Sequence, residues 1–170
     1  MKRILRAGVG LLLAFVATVA PRGLHAQDKQ QPKVAAIEVL PIESDEIKLP
    51  AEFRVALYEN LIHELQARGG FQHVYREGDR NAQDASDLVI LHSWVRGFKQ
   101  GSERARQVTT VAGATSIKIH CNFTDKNGKS LLDQDVEGKV RFMGGNLRAT
   151  YDFAKNVAKV ARDNFSLQAH

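Results

Sequence analysis

Apolar residues run almost unbroken from Val34 to Leu40 and stop at Pro41. A short run with no polar face predicts a strand over residues 33–42, buried on both sides. Residues 43–49 form a charged connector. Phe53, Leu57, Leu61 and Leu65 then recur every four residues, and Ala56 and Ile62 widen the stripe. That is the period of an amphipathic helix. Pro50 suits its first turn, and Gly69-Gly70 supplies its stop. Residues 71–76 read as a short second strand and residues 77–86 as a polar loop. Residues 87–99 predict a long third strand. Val89, Leu91 and Val95 share one of its faces, and Leu88, Ile90 and Trp94 share the other, which implies cover on both. The polar, glycine-bearing residues 100–114 fit a loop and a frayed strand equally.

The strongest local signal is Asn127-Gly128, the pair favoured in two-residue hairpin turns. A two-residue loop pairs Lys126 with Lys129 and sets everything behind it. Phe123 then faces Leu132, Cys121 faces Gln134, and Ile119 faces Val136. On the other face Asn122 meets Asp133, His120 meets Asp135, and Lys118 meets Glu137. A slip by one residue would send every side chain to the wrong face. Residues 116–125 and 130–142 are therefore read as an antiparallel pair. Gly144-Gly145 breaks the chain, and Asn146 is positioned to cap a last helix. Leu147, Tyr151, Ala154, Ala158, Ala161 and Phe165 follow at alternating steps of four and three, and Phe153, Val157 and Val160 widen that stripe. Lys155, Lys159 and Arg162 lie toward the end where the helix dipole favours cations. The fold class expected is α+β: a mixed sheet of about five strands with two helices packed on it, in the order β-α-β-β-β-β-α.

The N-terminus changes the setting of that domain. Lys2, Arg3 and Arg6 precede an uncharged apolar run from Ala7 to Ala20, followed by Pro21 to Ala26. This is the order of a secretory signal peptide. The run is shorter than the roughly 20 residues a spanning helix needs. Residues 1–26 are read as a leader cleaved after Ala26, residues 27–32 as a flexible lead-in, and residues 33–170 as a single domain. The expected location is periplasmic or secreted, with no stable membrane anchor after cleavage. The chain has 24 basic and 19 acidic residues, a net charge of +5. Lys2, Arg3, Arg6 and Arg22 belong to the leader, which holds no acid, so the remainder is close to neutral. That balance lacks the clustered positive footprint of a nucleic-acid binder. The one cysteine, Cys121, cannot form an internal disulfide, and it lies too deep in the chain to carry a lipid at a mature N-terminus. It reads as a small buried hydrophobe.

Few residues point to chemistry. His63, His73, His92, His120 and His170 form no zinc-ligand spacing. His63-Glu64 begins like a metalloprotease helix motif, but the second histidine is missing. No nucleophile elbow and no phosphate-binding glycine loop is present. Asp133, Asp135 and Glu137 alternate on one strand face opposite polar or basic partners, as on a solvated sheet. No metal or cofactor is called for. The most unusual stretch is residues 98–106, where Gly101, Ser102, Arg104 and Arg106 put two arginine forks beside glycine-serine backbone. That combination suits a carboxylate or phosphate, and equally it suits pairing with nearby acids.

The stretch Ser86-Asp87-Leu88-Val89, followed by Phe98, Gly101-Ser102, Arg104, Arg106, Gly113-Ala114 and Asp125 with Gly128, resembles a bacterial exported family of unknown function, the 4410 type. The resemblance covers about residues 34–165. It implies an envelope or secreted α/β domain, often a lipoprotein, and it brings no activity with it. This chain departs from it in lacking the lipid-accepting cysteine. The function expected is a non-catalytic exported module that binds another envelope protein, assists envelope assembly or binds a second copy of itself. Two rivals are an anion or small-ligand binder built on residues 101–106, and a hydrolase.

Overall fold

The structure, a computed structural model, describes residues 31–108, 113–140 and 144–167. The leader assigned to residues 1–26 lies outside them.

The core element is a mixed five-stranded sheet in the order β3-β2-β4-β5-β6. The strand β2 (Ala36–Val39) pairs in parallel with β3 (His73–Arg76) on one side and β4 (Leu88–Lys99) on the other. From β4 the sheet continues antiparallel through β5 (Thr115–Thr124) and β6 (Ser130–Val140). Two long helices, α1 (Ala51–Glu64) and α4 (Arg148–Asn164), pack on one face. Their stripes meet the sheet in one cluster: Phe53, Leu57 and Leu61 from α1, Phe153 and Val157 from α4, and Ile37, Leu91, Ile119 and Phe123 from the strands, all fully buried. The α+β architecture is therefore the expected one.

The helix ends obey local rules unevenly. A π turn (Leu65–Gly69) prolongs α1, and the chain leaves it through Gly70 in the left-handed region, φ 83°. That is the stop expected of Gly69-Gly70. Asn146 does not cap α4. Leu147 occupies that position with no side-chain bond, and the Asn146 side-chain oxygen accepts from the Thr115 hydroxyl at 2.7 Å.

The first strand is not continuous. Its opening, β1 (Lys33–Val34), leaves the main sheet and pairs in parallel with β7 (Ser166–Leu167). Ala35 is the pivot: its N–H donates to the Asp87 carbonyl at 3.0 Å, and its own carbonyl accepts from Gln72 at 2.8 Å. Two segments without an apolar stripe contain short helices. The expected loop over residues 77–86 holds α2 (Arg80–Asp84), where the Asp79 carboxylate accepts from the Asn81 N–H at 3.0 Å. The stretch 100–114, read as loop or frayed strand, holds α3 (Glu103–Val108).

The hairpin has the expected register and a different turn. Phe123 faces Leu132, Cys121 faces Gln134, Ile119 faces Val136, and His120 faces Asp135. Yet Asp125 and Lys129 close the loop, through a bond from the Asp125 N–H to the Lys129 carbonyl at 2.9 Å. Only Gly128 is left-handed there, at φ 78°, so the Asn127-Gly128 pair does not form the two-residue turn. Thr124 faces Ser130 and Phe123 faces Leu132, which leaves Leu131 as a bulged residue. One additional loop residue and one bulged residue cancel. The longer loop is favoured because the Asp125 carboxylate accepts from both Asn127 and Lys129, at 2.8 and 2.9 Å.

The second sheet face is largely open. The helix α2 covers only one corner of it, packing Ala82 on Ala36 and Leu88. Ile90, His92 and Trp94 are left half-buried. The expectation that both faces of the long strand are covered therefore holds at Leu88 and fails beyond it.

Candidate functional site

The loop singled out from sequence is built for backbone packing. Gly101 lies so close to Gly113 that an added Cβ would sit 1.9 Å from the Gly113 carbonyl oxygen. The Gly101 N–H donates to the Thr115 hydroxyl at 3.0 Å, and that hydroxyl donates onward to Asn146 at 2.7 Å. Ser102 accepts from the Ala105 N–H at 3.3 Å, capping α3. Arg104 is exposed on α3, and the side chain of Arg106 lies outside the described residues. Gly101 and Ser102 thus have structural partners of their own.

The open sheet face concentrates more polar and aromatic groups. Trp94 lies between two imidazoles: His92 stacks at 5.9 Å with planes 10° apart, and His120 lies at 5.8 Å, tilted by 37°. The indole N–H donates to the Glu43 carboxylate at 2.9 Å. Glu43 is held there by its own backbone, which donates to the Ser93 carbonyl at 2.9 Å and accepts from Val95 at 2.8 Å. His120 bridges two acids. Its Nε2 is 2.8 Å from Asp133 and its Nδ1 is 3.0 Å from Asp135. Lys118 reaches the second Asp135 oxygen at 2.7 Å. Lys118 first, and then His120, hold the Asp135 carboxyl below its ordinary value.

The His120–Asp135 pair is as read from sequence, and its neighbours re-sort around it. Lys118 takes Asp135 in place of Glu137, Glu137 takes Lys139 at 2.5 Å, and Asn122 takes Ser130 at 2.8 Å. The aromatic row was missed. His92 and Trp94 two residues apart are a visible same-face signal, but placing His120 beside them needs the β4–β5 register. That register shifts at Arg96, between the Val95 and Gly97 pairs, which periodicity does not show.

A second feature lies where β2 and β3 end, the side on which parallel strands commonly meet ligands. A groove of about 610 Å³ opens there, floored by Pro41, Ile42, Val55 and Tyr58. Arg76 forms its wall. Its guanidinium grips Glu59 through two bonds, at 2.9 and 2.7 Å, and lies 5.2 Å from the Tyr58 ring centre. The bond from Arg76 holds the Glu59 carboxyl below its ordinary value. The Tyr58 hydroxyl donates to the Val39 carbonyl at 3.2 Å, which fixes the ring.

The remaining candidates are inert or scattered. Cys121 is fully buried, and burial pushes its thiol up to about 12. His63 is exposed on α1. Among the described residues no three His, Cys, Asp or Glu side chains gather as a metal site. No described helix is long and apolar enough to cross a membrane.

No family model matches this chain. No curated protein matches it either. Among solved structures it is similar to PelC from Paraburkholderia phytofirmans, a dodecamer, with a TM-score of 0.57 and 12% identity over 78% of this chain and 89% of that one. A variant of that PelC carrying one Leu-to-Met substitution, also a dodecamer, gives the same TM-score of 0.57 and 12% identity over 76% of this chain and 87% of that one. A hypothetical protein from Chlamydia trachomatis follows at a TM-score of 0.49 and 10% identity, over 75% of this chain and 96% of that one. At such identities the likeness to PelC is one of fold.

Proposed function

We propose that this chain is an exported, non-catalytic domain that acts by binding, through the open sheet face, to another envelope protein, and that it self-associates. The observation that carries the reading is the bare half of the sheet: Trp94, the one tryptophan of the chain, is left half-buried on a strand whose other face is packed. A half-covered aromatic strip of this kind suits an interaction site, where aromatic side chains are enriched. The acids beside it are already tied to Lys118, His120 and Lys139, so they shape a surface more readily than they move protons. Self-association is carried over from the dodecameric state of PelC, as a proposal for this chain. Export rests on the leader pattern, with cleavage after Ala26, and the resemblance to the 4410-type exported family agrees with it.

The test is site-specific crosslinking in the source cells. A photo-reactive residue at position 94 should give one dominant adduct, to an envelope protein or to a second copy. The same residue at position 127, at the exposed tip of the hairpin, should give none. Equal crosslinking at the two positions would remove the open face from the account.

A further inference from the structure

We infer that copies of this chain join side by side, head to tail, with the start of α4 of one copy seated in the α1 groove of the next. The inference rests on the self-association reading and names its surface.

Among the described residues the exposed large hydrophobics are Val55 at 64%, Leu147 at 41% and Tyr151 at 38%. They fall in two patches. Val55 lines the groove with Pro41, Ile42 and Tyr58, a concave apolar surface. Leu147 and Tyr151 stand one helical turn apart at the start of α4, a convex one. The patches lie on opposite flanks. The groove joins α1 to the ends of β2 and β3, toward the β3 edge of the sheet. The α4 patch belongs to the helix that packs along β6, at the other edge. The α1 side chain facing α4 is Asn60, bonded to Thr150 at 2.8 Å, and Val55 and Tyr58 point away from it.

A knob on one flank and a hole on the other cannot satisfy each other within a two-fold pair. They make a heterologous contact that repeats, closing into a ring if the rotation allows. Charge is balanced across the contact. Lys155 lies over the Tyr151 ring at 5.9 Å and has no ion-pair partner among the described residues. On the groove wall Glu77 and Arg54 likewise have none, so the lining offers Lys155 one free acid. Direct strand pairing is a poorer route for the same copies. At the β6 edge, Asp152 takes the Lys139 N–H at 2.9 Å, and Asn156 donates to the Glu137 carbonyl at 2.8 Å. These side chains occupy backbone groups that an added strand would need.

The experiment uses the chain expressed with its own leader, collected from the exported fraction, and weighed in solution across a concentration series. Wild type should assemble beyond a dimer. Val55→Glu and Tyr151→Glu, each on an exposed helical position, should each weaken assembly at least tenfold. Mixed one to one, the two variants should recover a dimer and nothing larger, because each retains one intact surface. That recovery also shows that both variants are folded. If both variants assemble like wild type, this surface is wrong and self-association stands. If wild type stays monomeric throughout, self-association fails and this surface with it.

Discussion

Gly138 is where α4 crosses β6, and replacing it with alanine tests the packing of the whole helix layer. The added Cβ would lie 2.1 Å from the Ala149 carbonyl oxygen and 2.6 Å from Phe153 Cβ, against an ordinary contact of 3.4–4 Å. The obstacles include helix backbone, so no rotamer change relieves them. The helix must retreat by about 1 Å, a gap that forfeits a quarter to a half of each dispersion contact it lines. Ala149, Phe153 and Val157 are fully buried along that seam. Overpacking costs about 1–3 kcal/mol, and a rigid obstacle places Gly138→Ala near ~3 kcal/mol. With a urea slope of about 2 kcal/mol per molar, the midpoint should fall by about 1.5 M. Gly128→Ala is the control. Its Cβ meets nothing within 4 Å, and its φ of +78° isolates backbone strain. That strain is worth ~1–2 kcal/mol, partly offset by lost freedom in the unfolded chain, so its midpoint should fall by about 0.5 M. A Gly138→Ala midpoint within about 0.3 M of wild type, on a slope of the same size, would refute this account of the helix–sheet contact.

Other perturbations separate the remaining interactions. Cys121, fully buried and with its thiol raised to about 12, should resist a thiol reagent at neutral pH until urea unfolds the protein; fast labelling of the native chain would contradict its burial. Thr115→Val should remove the hydroxyl that accepts from the Gly101 N–H and donates to the Asn146 side-chain oxygen, and cost ~2 kcal/mol. Arg104→Ala, on an exposed helix, should stay within about 0.5 kcal/mol of wild type; a reversed order in urea melts would remove the packing role of the loop. Asp135 has a lowered folded value, so its contribution to stability is present above the ordinary carboxylate value near 3.8 and is lost as pH falls through the folded one. A carboxyl resonance titration should therefore place its midpoint below 3.8, and Lys118→Ala should move it upward; no movement would mean that the ion pair does not form in solution.

What the amino-acid pattern revealed was whatever depends on period alone. The stripe Phe53, Leu57, Leu61, Leu65 becomes α1 and the π turn that prolongs it, and the alternation in residues 116–125 and 130–142 becomes a hairpin, described as far as Val140, whose pairs from Phe123–Leu132 onward stand as read. Its turn was misread, yet the register survived, because burial of Phe123, Cys121 and Ile119 selects the pairing whatever closes the loop. Features that depend on capping escaped. Asp79 and Ser102 start short helices with no apolar stripe to announce them. Asn146 looks like a cap and instead bonds across the fold to Thr115, a partner set by tertiary position. The candidate site was partly legible. His120 and Asp135 follow from the hairpin, but Trp94 joins them only through a strand pairing that shifts at Arg96.

The pairing of β1 with β7 has a consequence for how the molecule is made. Ser166 donates to the Pro32 carbonyl at 2.9 Å, so the earliest described backbone is latched by nearly the latest. During synthesis the latch cannot fasten until residue 166 has emerged from the ribosome. The finished domain therefore needs the whole described chain, and a protease meeting it half-made would find the first strand unclasped.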